Sequence, residues 1–96
     1  EKLIASIKNK KNKQEAWFML GESYFKNGQA RDAALRFNDF LESKPKENLP
    51  YALMRMGDCF KQLGDEETAK IYYQELIQKH GSTDEAKQAK DKLSKL

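Results

Sequence analysis

Few residues in this chain could carry out acid–base, nucleophilic or metal chemistry, and their spacing argues against it. There is one cysteine, Cys59, and one histidine, His80. Cys59 adjoins Phe60 in an apolar-patterned stretch with no histidine nearby in sequence to activate it, the setting of an inert buried thiol. A single cysteine excludes an internal disulfide and any multi-cysteine metal site. His80 precedes Gly81 at the end of a helical pattern, where a partly charged ring suits the negative end of the helix dipole. Gly21, Gly28, Gly57 and Gly64 belong to no strand–loop–helix motif, so they form no phosphate-binding loop. The carboxylates are scattered. No enzyme, cofactor or metal site is expected from these residues. The one charge run, Lys8, Lys10, Lys11 and Lys13, reads as a solvated turn between helices. Arginine is scarce, so no nucleic-acid partner is expected, and a basic nucleic-acid module is the weakest of the alternatives.

The elements that must position any site are helices. The chain has 96 residues, a third of them charged, and a net charge of +3. That size bounds one small domain or a piece of a larger one. The first residue is Glu1, as expected of a processed product or an excised fragment. No apolar run is long enough to cross a bilayer, so no direct membrane insertion is expected. No segment alternates as a strand does, and the reading is all-α with short, antiparallel connections. Leu3, Ile4 and Ile7 mark the end of an amphipathic helix. Asn12 with Glu15 has capping-box spacing, which predicts a helix from about Lys13 to Asn27 and a stop at Gly28. A second helix is expected from about Gln29 to Ser43, ending before Pro45. Pro50 suits the first turn of a third, Gly64 stops it, and Asp65 caps a fourth. Gly81 closes the fourth, and Ser82 with Glu85 predicts a capping box for a last helix.

The sequence lies on itself when shifted by 36. Trp17, Leu20, Gly21 and Tyr24 match Leu53, Met56, Gly57 and Phe60. Gly28 matches Gly64, and Ala33, Phe37 and Leu41 match Ala69, Tyr73 and Ile77. A fixed period of this length means stacked helix pairs, each burying its apolar face on the next. Gly21 and Gly57 are expected to let the paired helix approach, with Ala33 and Ala69 facing them.

These residues resemble the tetratricopeptide repeat. The first repeat, residues 14 to 47, carries Trp17, Leu20, Gly21, Tyr24, Ala33, Phe37 and Pro45 in the family's register, with Phe40 where the family usually has alanine. The second, residues 50 to 83, carries Leu53, Met56, Gly57, Phe60, Ala69 and Tyr73, with Gly81 in place of the proline. The resemblance implies an α-solenoid of antiparallel helix pairs, about five helices plus an N-terminal helix remnant. Residues 1 to 12 would be the end of a preceding helix and its turn. Residues 83 to 96 would be a capping helix with Ala86, Ala89, Leu93 and Leu96 facing inward and the lysines at 87, 90, 92 and 95 solvated. The segment GDCFKQLGDEETAKIYYQELIQKHGS is similar in style to the bacterial envelope-associated subgroup, which includes the periplasmic coordinator of the Tol–Pal system and the repeat lipoprotein of the β-barrel assembly machine.

The resemblance also implies the function: a protein–protein interaction scaffold whose first helices line a concave groove for a peptide or helix of a partner. It favours a periplasmic or envelope setting. The alternatives are a cytosolic adaptor of the same fold and a self-association domain. Carried over by position, the groove candidates are Phe18, Glu22 and Phe25 from the first repeat and Tyr51, Met54, Asp58 and Lys61 from the second, with Glu15, Lys26 and Gln62 beside them. Glu22 and Asp58 fall at equivalent places, so the groove is expected to be apolar and acidic, suited to an apolar segment with basic flanks. Phe18 and Glu22 stand where some family members clamp a terminal carboxylate with lysine and asparagine.

Overall fold

The structure, a computed structural model, describes residues 9–96. The expected helix remnant at residues 1 to 8 lies outside the described residues. Five helices make up the fold: α1 Lys10–Lys26, α2 Ala30–Glu42, α3 Leu49–Gln62, α4 Glu66–Lys79 and α5 Asp84–Ser94. No strand occurs among the described residues.

The two stops recur as hydrogen bonds. Gly28 adopts a left-handed φ of 77°, its N–H donates to the Phe25 carbonyl at 3.0 Å, and the Gln29 N–H donates to Tyr24 at 2.9 Å. Gly64 repeats this with φ 81°, donating to Lys61 at 3.1 Å while Asp65 donates to Phe60 at 2.8 Å. A residue with a Cβ resists that conformation, so glycine fixes both ends. The N-terminal caps depart from expectation at two helices. Asn9, not Asn12, caps α1, accepting from the Asn12 N–H at 3.2 Å. The helix therefore begins three residues early, and Lys10, Lys11 and Lys13 lie on it rather than in a turn. At α5 the cap is Thr83, one residue beyond Ser82, accepting from Ala86 N–H at 3.1 Å while its hydroxyl donates to the His80 carbonyl at 2.7 Å. Asp65 caps α4 as expected, accepting from Thr68 N–H at 3.1 Å. Side-chain hydrogen bonding from Thr68 holds the Asp65 carboxyl below its usual range.

Each helix packs closely on its successor, and the stack buries the apolar faces. The close approach within each pair is made at glycine. A Cβ on Gly21 would meet the Phe37 ring at 3.0 Å, and one on Gly57 would meet the Tyr73 ring at 2.4 Å. Ala33, Phe37, Ala69 and Tyr73 are all fully buried, so the repeat of small and large residues in the sequence is the register of packing. One core gathers Phe37, Phe40, Met56 and Cys59 under Trp17 and Tyr24. The other gathers Leu53, Tyr73, Leu76, Ala86 and Ala89 under Leu93 and Leu96. Full burial of side chains the size of Phe37, Met56 and Leu76 stabilises by about 1.5–3 kcal/mol each. The inward face of α5 is thus as expected, and it closes the second core.

Candidate functional site

The first helices of the two pairs, α1 and α3, are joined through long side chains. Phe18 and Tyr51 face each other with ring centroids 5.5 Å apart, and Phe18 also lies 5.2 Å from Phe40 and 6.0 Å, edge on, from Phe37. Below this aromatic contact, the Tyr51 hydroxyl donates to Glu22 Oε2. Arg55 Nε donates to Glu22 Oε1 at 2.7 Å and to the Tyr51 hydroxyl oxygen at 3.1 Å. The guanidinium rests 4.3 Å from the centroid of the Phe25 ring, in reach of a cation–π attraction.

Arg55 also reaches toward the C-terminus, its Nη1 donating to Asp58 Oδ2 at 3.0 Å. Asp58 is 8% exposed and accepts from three sides. The Tyr73 hydroxyl of α4 donates to Oδ1 at 2.5 Å, and Lys92 Nζ of α5 donates to both oxygens at 2.8 and 2.9 Å. The series Glu22, Arg55, Asp58, Lys92 therefore alternates in charge and ties α1, α3 and α5 together. Burial satisfied in this way avoids the cost of an unpaired charge.

The proton affinities follow the same geometry. Burial pushes the Tyr51 hydroxyl up to about 12, aided by its hydrogen bond to Glu22. Burial also raises Tyr73, with the Asp58 hydrogen bond acting the same way. For Arg55 burial alone would favour loss of the proton, but bonding to Glu22 more than reverses it and the value rises. Cys59 is fully buried, and desolvation, then the charge of Asp58, pushes its thiol up to about 12. At neutral pH it stays protonated and is a poor nucleophile. Among the described residues no His, Cys, Asp and Glu side chains cluster so as to hold a metal ion.

The structure brings Phe18, Glu22, Phe25 and Tyr51 together on one strip and places exposed Lys61 at its lower end. Glu15 and Lys26 are exposed, as is Gln62. It does not put Met54 on the strip. Met54 is 4% exposed and lies inside the second core, because α5 covers on the second repeat what is left half-open at Phe18 on the first. The acidic groove expected from Glu22 and Asp58 is neutralised by Arg55 and Lys92. Lys92, expected to be solvated with its neighbours, is half-buried as an ion-pair partner. Lys87, Lys90 and Lys95 are exposed as expected. Arg55 was legible in part: it stands four residues after Tyr51 and three before Asp58, hence on the same helix face. Lys92 lies 34 residues from Asp58, and no local signal joins them.

Two clefts open on the strip. The lower, about 400 Å³, lies among Phe25, Arg55, Asp58, Lys61 and Lys92. The upper, about 610 Å³, lies at the start of α1 beside the loop that leads into α3. No helix among the described residues is long and apolar enough to cross a membrane.

Compared with protein-family models, the chain matches the one described as tetratricopeptide repeat, over residues 15–46 and again over 51–83. Neither the curated proteins nor the solved structures contain a match.

Proposed function

The chain belongs to the tetratricopeptide repeat family, and from that premise we propose that it is a non-enzymatic interaction module that holds a peptide or helix of a partner protein along the strip shared by α1 and α3. Repeats of this family generally mediate protein–protein interaction. The observation that carries the reading is the bridged strip itself. Phe18, Tyr51 and Phe25 are half-buried, their rings fixed by Phe40, Glu22 and Arg55, and a cleft lies open at each end. Rigid, partly exposed aromatics beside open clefts suit binding, since little ordering is left to do on association. The pairing of Glu22 and Asp58 removes the reason to expect basic flanks on a ligand along the middle of the strip.

We place the protein in a bacterial cell-envelope complex, periplasmic or attached to the envelope. The likeness of residues 57 to 82 to the envelope-associated repeats supports this. A secretory or lipoprotein signal in the full-length gene product would agree with it, and a cytosolic location of that product would contradict it.

The binding reading is tested by selecting short random peptides on the chain and measuring their affinity for variants. Met19→Asp with Lys61→Asp, at the two ends of the strip, should weaken binding by about tenfold or more while the thermal melt holds. Leu35→Asp with Ile71→Asp, exposed on α2 and α4, should leave it unchanged. The opposite pattern would contradict the proposal.

A further inference from the structure

We infer that the upper cleft receives an acidic segment of the partner, anchored by one apolar side chain; this rests on the reading of the strip as a peptide-binding surface. The cleft has an apolar floor of Phe18, Phe40, Pro45 and Met19, the last 69% exposed and the most exposed large apolar side chain among the described residues. Its rim carries Lys10 and Lys11 from α1 and Lys44 and Lys46 from the loop, against Glu15 and Glu47. None of these six makes an ion pair among the described residues, unlike the carboxylates further down the strip.

The backbone adds to the same field. Helices α2, α4 and α5 each carry an acidic residue in the first turn, which offsets the positive end of the dipole. Helices α1 and α3 carry none, and Asn48, before α3, makes no side-chain cap. Both of these helix starts, at Lys10 and Asn48, open on this cleft with no acidic residue in the first turn, the first capped only by the neutral Asn9. Four lysines and two positive helix ends against two glutamates leave an excess of positive charge over an apolar floor. The ligand that matches is a carboxylate-bearing chain with one buried apolar group. The cleft is large enough to seat one such side chain with its backbone. A nucleic acid would meet the lysines but not use the floor, and none of the three arginines lies at the rim.

The loop between α2 and α3 has an uncommon backbone. Lys44 and Asn48 both adopt left-handed φ, 54° and 62°, uncommon for residues with side chains, and they bracket the segment that forms the cleft wall.

The test uses peptides selected on the unaltered chain from a random display library, then labelled and titrated by fluorescence anisotropy. The expected peptides pair several Asp or Glu with one aromatic or aliphatic residue, and replacing that residue by serine abolishes binding. Lys44→Glu with Lys46→Glu should weaken binding by about tenfold or more without moving the thermal melt, and raising salt on the unaltered chain should weaken it in the same sense. Selected peptides without acidic bias, or indifferent to the two lysine reversals yet weakened by Met19→Asp with Lys61→Asp, would overturn the inference and leave the binding strip standing. Loss of binding only with Leu35→Asp and Ile71→Asp would overturn both. A single-stranded oligonucleotide that binds as tightly as the peptide and displaces it would also overturn the inference, by showing an unselective polyanion surface.

Discussion

Arg55 of α3 donates to Glu22 of α1 at 2.7 Å, so one guanidinium joins the first helices of two successive repeats. It does so while bonded to Asp58 and lying against the Phe25 ring. Arg55→Met should therefore leave Glu22 half-buried without its cation and cost about 2–3 kcal/mol. In a chain of this length the melting temperature should fall by on the order of 10 °C. Arg55→Lys should recover only part, because an ammonium cannot meet two carboxylates and a ring in one plane. In a cycle with Glu22→Gln, the double variant should be less destabilised than the two single losses added. Additive losses in urea unfolding would show that the pair is not coupled.

Asp58 holds the terminal helix through Lys92. Lys92→Met removes both Lys92 bonds to the Asp58 carboxylate but leaves those from Arg55 and Tyr73. The expected cost is modest, about 1–2 kcal/mol. The sharper readout is hydrogen exchange: amides of α5 should lose protection while those of α2 keep theirs. Equal loss along the whole chain would contradict a local tether.

Gly57 and Gly21 occupy the same place in their repeats but do not have the same room. The Cβ of Gly57→Ala would press within 2.4 Å of the ring of Tyr73, which is fully buried and pinned by its hydroxyl to Asp58. The Phe37 ring stands 3.0 Å from the same position at Gly21 and has no such anchor. Alanine gains helix propensity at both, by up to about 1 kcal/mol. Overpacking of about 1–3 kcal/mol should exceed that at Gly57 and be nearly offset at Gly21. Ala33→Leu, at a fully buried position, should also lower the melting temperature. Gly21→Ala proving the more damaging of the two glycine changes would contradict the packing described.

Alkaline pH should weaken the fold. Cys59 is raised from 9.0 to about 12 and Tyr51 from 10.0 to about 12, both chiefly by burial. Tyr73 is raised as well. Each group binds its proton more tightly folded than unfolded, so the unfolded chain loses protons first as pH rises. Stability is then full below about pH 9 and falls between 9 and 12. Cys59→Ala removes the first of these groups and should move the onset of the fall toward pH 10. Melts recorded across this range check it; a flat profile to pH 11 would contradict it.

Much of the fold was legible because local rules decide it. Gly28 and Gly64 stop helices wherever a left-handed residue is needed, and the match of Gly21 with Gly57 and Phe37 with Tyr73 announces the stacking. The caps were harder. Asn9 and Asn12 both precede a suitable turn, and nothing local says which of them the helix uses. The site was legible only in outline. Phe18, Glu22, Phe25 and Tyr51 do lie on one face, as their repeat positions imply. Met54 was misplaced because its exposure depends on α5, which no repeat position reveals. Arg55 was not singled out, although Tyr51 and Asp58 share its helix face, because its bond to Glu22 crosses to another helix, and Lys92 was read as solvated because Asp58 lies 34 residues away.

The proposed function places a bound partner on the face of α1 and α3. Nuclear magnetic resonance of the labelled chain, titrated with a selected peptide, tests it most directly. Amide shifts should gather in residues 10–26, 44–48 and 49–62, with the exposed sides of α2 and α4 around Leu35 and Ile71 unmoved. Shifts centred on Leu35 and Ile71 instead would contradict the account.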